Sequence, residues 1–223
     1  MSDLTARQAF IRAHTQVAAV PGLDIRLYQA SEVTPLWLMT EADLHQAQLP
    51  PPFWAFPWAG GQALARYIAE NPHIVAGLRV VDMACGSGLV AIAAAKAGAA
   101  HVLANDIDAY SEAAVALNAE LNGVTIDFVS GDLLAGMATP ANVFQADVFL
   151  AGDICYEKTM SEAMMTFFRR LDAQSSVYIG DPHRSYFPKQ GLKRCADYVI
   201  MTGADIEDAA TKAATVWELE KTK

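Results

Sequence analysis

Residues 80–95 read VVDMACGSGLVAIAAA. Val80–Met83 has the apolar, β-branched composition of a buried strand, and the alanine-rich run that follows Gly88 predicts a helix closed by Gly98. A strand that passes through Gly86-Ser87-Gly88 straight into a helix presents backbone N–H groups at the carboxyl edge of a sheet. Glycines there let a nucleotide-like ligand approach without a Cβ in the way.

By spacing alone the turn is ambiguous. Gly86, Gly88 and Ala91 satisfy G-x-G-x-x-A, and Asp106 lies twenty positions past Gly86 at the end of the next predicted strand, which are also the criteria for a nicotinamide dinucleotide and hence an oxidoreductase. A pyrophosphate would sit at the helix N-terminus, and Asp82 just before the glycines would repel it. A carboxylate in that place suits a ligand carrying an ammonium and a sulfonium, which describes S-adenosylmethionine. Asp106 can then accept from both ribose hydroxyls. The third strand ends at Gly131-Asp132, where a carboxylate can accept from the exocyclic amine of adenine. Aspartates at strand ends also cap helices and turns; among these residues Asp108 is the better candidate for that task, ahead of the next helix.

Outward from the turn the elements alternate. A helix follows Gly60-Gly61 in QALARYIAEN and stops before Pro72. HVLANDI is a strand, SEAAVALNAELNG a helix ending at Gly123, and TIDFVSGD, ADVFLAGDI and SSVYIGDP are strands, with the helical SEAMMTFFRRL between the last two. CADYVIMTG and TKAATVWELE are β-rich with no helix between them. The pattern predicts an α/β fold, a Rossmann-like seven-stranded methyltransferase sheet, mostly parallel with an antiparallel C-terminal strand. Residues 50–223 form that methyltransferase domain. Residues 1–49 form a small N-terminal α+β extension, with a helix near 4–17 and strand-like runs at LDIRLYQA and PLWLM.

The chain has 223 residues, 53% of them apolar, and a net charge of −9. No uninterrupted apolar stretch approaches the roughly 20 residues that span a bilayer, so no membrane partner is expected. The acidic balance disfavours nucleic acid and favours a basic partner or a small molecule. The N-terminal residues lack a signal core, and three cysteines without a C-x-x-C suggest a reducing compartment, the cytoplasm. Five histidines show no metal-ligand spacing, so no metal is expected.

An acceptor must approach from the residues after the fourth strand, GDICYEKT. Asp153, Tyr156 and Glu157 bring two carboxylates and a phenol there, a seat for a lysine ammonium: Asp153 positions it, Tyr156 lines the channel, and Glu157 serves either task. Cys155 and Cys85 read as small packed residues and His183 as a loop residue near the site. The run PPPFWAFPWAGG, residues 50–61, stands before the helix that leads to the glycine turn. There Trp58 is placed beside the cofactor, Trp54 at the acceptor entrance, and Phe53 and Phe56 are candidates for the core.

PPFWAFPWAGGQALARY, the glycine turn, LANDID, GDICYE and GDPHR, in this order, resemble the lysine methyltransferases of the electron transfer flavoprotein β subunit. The likeness covers about residues 50–220. Asp153 and Tyr156 match the D-x-x-Y of the wider seven-stranded protein lysine methyltransferases. The resemblance implies a monomer that uses S-adenosylmethionine to methylate lysines in the loop by which the flavoprotein recognises its dehydrogenases. His183 stands where glycine is expected in GDPGR. The neighbouring methyltransferases of a large-subunit ribosomal protein share the glycine turn and an IDxxAxxxxxxN-like run, but their G-T-G-x-H-P-T-T and N-I-L stretches are missing here. A small-molecule methyltransferase is the remaining alternative.

Overall fold

The computed structural model describes residues 3–30, 52–135, 143–171, 174–202 and 210–220. Helix α1, Asp3–His14, and a hairpin of β1, Gln16–Ala19, and β2, Arg26–Gln29, come first. Then follow α2, Ala59–Glu70; β3, Arg79–Met83; α3, Leu89–Lys96; β4, His101–Asp106; α4, Ala109–Asn122; β5, Asp127–Ser130; β6, Val148–Gly152; α5, Lys158–Arg169; and β7, Ser176–Asp181. β8, Leu192–Met201, and β9, Thr211–Leu219, close the chain.

Strands β3 to β9 form one seven-stranded sheet in the order β5-β4-β3-β6-β7-β9-β8. The pairs among β3 to β7 are parallel, and β9 runs antiparallel to both β7 and β8. This is the predicted architecture, including the C-terminal antiparallel strand. Because β4 and β6 flank β3 on opposite sides, the chain reverses its direction of winding there, and a crevice opens beyond the carboxyl ends of β3 and β6.

The two-residue period of β3 divides the core. Val80 joins Val102, Val148 and Leu150 on the face covered by α2 and α3, whereas Val81 joins Leu103, Phe149 and Val177 on the face covered by α5. Every residue from Leu89 to Ala94 is buried, as suits a helix apolar all round and set between sheet and neighbouring helices. In α5 only one stripe is buried, Ser161, Met164, Met165 and Phe168, at the spacing of a single helical face. A third apolar group joins Ile11 of α1 and Ala113, Ala114 and Leu117 of α4 to the aromatic run.

Two boundaries differ from the sequence expectation. The first helix ends at His14, not near residue 17, because Gln16–Ala19 pairs with β2 across a turn through Gly22. Helix α2 starts at Ala59, so Gly60 and Gly61 lie within its first turn instead of before it. The glycines are required by close approach: a Cβ on Gly60 would run into the Gly180 carbonyl, and one on Gly152 would meet the Gly61 Cα at 2.7 Å. Three glycines thus let the start of α2 rest on the ends of β6 and β7. The strand-like run PLWLM lies outside the described residues.

Candidate active site

A cleft of about 1040 Å³ lies at the crevice. Its floor is the glycine turn, which leaves β3 with Ala84 and Gly86 at positive φ and starts α3 at Gly88, φ 77°. A side chain at Gly88 would press into Val115 Cγ2 of α4 at 2.9 Å, so this position needs glycine for packing as well as for conformation. Asn118, fully buried in α4, donates to the Ser87 carbonyl at 2.8 Å and accepts the Tyr28 amide at 2.8 Å. It ties the turn to α4 and the N-terminal hairpin.

The acidic residues predicted at successive strand ends all line this cleft, with Asp108 and Glu157 beside them. Asp82 is buried; its Oδ2 accepts the Ala91 amide of α3 at 2.9 Å, and its Oδ1 has no partner. Burial pushes its carboxyl up to about 8, against the Ala91 hydrogen bond and with help from the Asp106 charge. Asp106 accepts the Gly86 amide at 2.8 Å on Oδ2 and the Asp108 amide at 3.0 Å on Oδ1, which clamps the glycine turn to the end of β4. Asp108 caps α4 as expected, accepting from the Tyr110 amide at 2.8 Å. Asp132 is exposed at the rim and accepts the Leu134 amide at 2.8 Å, so it performs the turn-capping role as well as facing the cleft.

The aromatic run sorts differently from expectation. Trp54 is buried, stacked on Tyr110 with ring centroids 5.8 Å apart, and belongs to the core shared by α1 and α4; it is not at the acceptor entrance. Phe53, a candidate for the core, is 46% exposed, lines the cleft and lies 5.6 Å from the Tyr156 ring. Phe56 is buried as anticipated. The exchange of Phe53 and Trp54 follows from the 3-10 turn Phe53–Ala55, which points successive side chains in different directions, where an extended chain would alternate them. Trp58 lines the cleft, and its indole N–H donates to the Phe53 carbonyl at 2.9 Å, closing the run into a compact loop.

After β6, Tyr156 is 46% exposed and Glu157 is exposed at the start of α5; both line the cleft. Burial, then the nearby Glu157 and Asp106 charges, raise the Tyr156 phenol above its ordinary value. Asp153 also reaches the cleft, but its carboxylate is already engaged. Oδ1 accepts from Arg184 Nε at 2.9 Å and Nη2 at 2.7 Å, and Oδ2 accepts the Gly60 amide. Cys155 is fully buried beneath the site and its thiol is pushed up to about 11 by burial, which suits packing. Cys85 is half-buried and lines the cleft. His183 lies outside the cleft, at φ 62°, with its ring 3.4 Å from the Thr215 hydroxyl. Among the described residues no group of three His, Cys, Asp or Glu side chains is placed to hold a metal.

Residues 62–175 match the family model described as ribosomal protein L11 methyltransferase (PrmA). The electron transfer flavoprotein beta subunit lysine methyltransferase of Xenopus laevis is 34% identical, over 98% of this chain and 89% of its own length. The chain belongs to the electron transfer flavoprotein beta subunit lysine methyltransferase family. The human member is 30% identical over 94% of this chain and 80% of its own length. The sheet also matches that of magnesium protoporphyrin IX methyltransferase from Synechocystis, crystallised with bound S-adenosylmethionine; TM-score is 0.51, identity 19%, and coverage 73% of this chain and 78% of that one.

The chain is a methyltransferase, and its cleft suits S-adenosylmethionine. The residues present fit that group. The buried, unpartnered Oδ1 of Asp82 suits an ammonium, and Gly86 and Ser87 of the glycine turn line the open cleft. The cleft is large enough for the donor with room for an entering side chain. A dinucleotide would bring phosphate toward Asp82 and its acidic neighbours, so the oxidoreductase alternative falls. Two site residues escaped sequence reasoning in their roles. Arg184 of GDPHR reaches Asp153 only through the folded chain, and Asn118 is the closing asparagine of the IDxxAxxxxxxN-like run.

Proposed function

We propose that the protein transfers methyl groups from S-adenosylmethionine to lysine side chains of the electron transfer flavoprotein beta subunit. The observation that carries this reading is the cleft wall of Phe53 and Tyr156, opening beside Glu157 and the acidic strand ends. It suits a long, flexible cation presented by a protein loop, and the names of the similar relatives supply the protein.

In this reading Asp82 accepts from the donor's ammonium, Asp106 from its ribose hydroxyls and Asp132 from its adenine amine. Trp58 supplies a flat face beside it. When bound, S-adenosylmethionine supplies an electrophilic methyl group on a sulfonium. The chain's own contribution is alignment and desolvation. A lysine amine, with an ordinary pKa near 10.4, arrives mostly protonated, and the partly buried Phe53 and Tyr156 rings favour its neutral form while Glu157 draws in the cation. One proton passes to water, and the exposed nitrogen lone pair is then the nucleophile. The enzyme acts as a monomer in the cytoplasm, consistent with its three free cysteines.

Incubation with methyl-labelled S-adenosylmethionine and purified flavoprotein tests the proposal. Label on lysines of the beta subunit is the expected result. Label only in small molecules, or only in a ribosomal protein, would overturn it.

A further inference from the structure

Arg184 is the one cationic side chain among the described residues lining a cleft otherwise rich in carboxylates. It is anchored at both ends. Its backbone N–H donates to Asp181 Oδ1 at 2.8 Å, and its guanidinium donates twice to Asp153 Oδ1. The Asp153 side chain is only 7% exposed and the Arg184 side chain 24%. Asp153 is itself immovable: its backbone sits at φ 58°, its N–H donates to the Gly180 carbonyl at 2.9 Å, and its Oδ2 holds the amide of Gly60. The carboxylate that the sequence sets opposite an acceptor ammonium therefore carries its own counter-ion.

That arrangement has a chemical consequence. An unpaired carboxylate within about 4–6 Å of an amine raises the amine's pKa by about 1–3 units, and each unit removes about nine-tenths of the neutral, reactive form at pH 7.5. We propose that Arg184 is a positioning residue that cancels the Asp153 charge, so that a lysine drawn in by Glu157 beside Tyr156 meets no second unpaired carboxylate and sheds its proton to water. This rests on lysine being the acceptor.

The groups facing the pair are Asp181 at the end of β7, Cys155, Tyr156 and Glu157 after β6, and Asp82 and Asp106 across the cleft, with the Gly60 amide from α2. Asp181 is raised to about 6 by burial and Cys155 to about 11, so neither changes charge greatly between pH 7 and 9.5. Asp82 is held ionised by saturating donor.

The test is single-turnover methylation of purified flavoprotein beta subunit at saturating S-adenosylmethionine, followed from pH 7 to 9.5. In Arg184→Gln the apparent pKa of the rate should rise by about one unit or more, so that the rate falls about tenfold at pH 7.5 and recovers toward wild type at high pH. The KM for the protein should not rise. Arg184→Lys should stay within about threefold of wild type, and Asp153→Asn combined with Arg184→Gln should return the profile to its original position. A loss equal at every pH, or a double variant whose profile stays with Arg184→Gln, would overturn the proposal. So would a fall of more than tenfold in S-adenosylhomocysteine affinity with an unmoved profile, which would assign Arg184 to the donor. Should Arg184→Gln fail to fold, Asp153→Asn carries the test, because it leaves the guanidinium uncompensated and should lower the apparent pKa; an unmoved profile then refutes the idea. Wild-type enzyme that never methylates lysine would instead refute the acceptor assignment itself.

Discussion

Donor binding should be coupled to the ionisation of Asp82, and the size of the coupling can be worked out. Its carboxyl is raised to about 8 by burial, with one oxygen on the Ala91 amide and the other unpartnered in the cleft. A donor ammonium beside that oxygen favours the charged form and lowers the bound-state carboxyl by up to about 3 units, clear of the window from pH 6 to 7. Binding is then strongest to the ionised form, so affinity rises with pH up to about 8 and falls below it. Between pH 6 and 7 the ionised fraction of the free enzyme grows from about 1% to about 9%, which lowers the Kd about ninefold, or about 1.3 kcal/mol. At pH 7 about 0.9 proton should leave per donor bound, by the same fractions. Above about pH 7.5 the α-amine of the ligand begins to lose its own charge, so the window from pH 6 to 7 is the diagnostic one. Calorimetric titration with S-adenosylhomocysteine, in two buffers of different ionisation enthalpy, reads both quantities. Asp82→Asn should bind more weakly at pH 7, with a nearly flat profile and no proton release. If wild type and Asp82→Asn show the same pH slope, or if wild type releases no proton, the reasoning fails.

Other residues give separate tests. Asp106→Ala removes the acceptor for the Gly86 and Asp108 amides as well as any ribose contact, and should weaken S-adenosylhomocysteine binding by about 10–100-fold in the same titration, from the typical worth of hydrogen bonds to charged groups. Trp54→Ala empties a buried, stacked site and should cost about 3–5 kcal/mol in urea unfolding, whereas Phe53→Ala should cost about 1 kcal/mol or less and instead raise the KM for the protein substrate. Equal losses of stability in the two would contradict the exchange of roles. His183→Gly should stabilise the fold by about 1 kcal/mol and raise the Tm, because φ 62° disfavours a side chain there and the 3.4 Å contact with Thr215 is weak; a lowered Tm would assign that contact more weight.

The GDPHR departure shows how a family expectation and a backbone angle meet. Glycine is expected at position 183 from the resemblance alone, and the structure has a left-handed residue there. The same holds for D-x-x-Y: the spacing brought Asp153 and Tyr156 to one strand end, and the structure puts both on the cleft. The spacing carried no information on which cation Asp153 would meet first. Arg184 is 31 residues away and reaches it only because β6 and β7 are adjacent in the sheet.

What the sequence determined by itself was periodic or local. Alternating apolar runs predicted the sheet, glycines after β3 marked the ligand turn, and aspartates at successive strand ends marked the cleft, because each depends on neighbours a few positions away. The tertiary structure alone decided the matters that depend on distant partners. Pairing with β2 turned residues 16 and 17 from helix to strand, and the contact of Gly60, Gly152 and Gly180 drew glycines into a helix. A single 3-10 turn sent Trp54 to the core and Phe53 to the cleft. In each case the local preference was weak, and burial or a long-range hydrogen bond outweighed it.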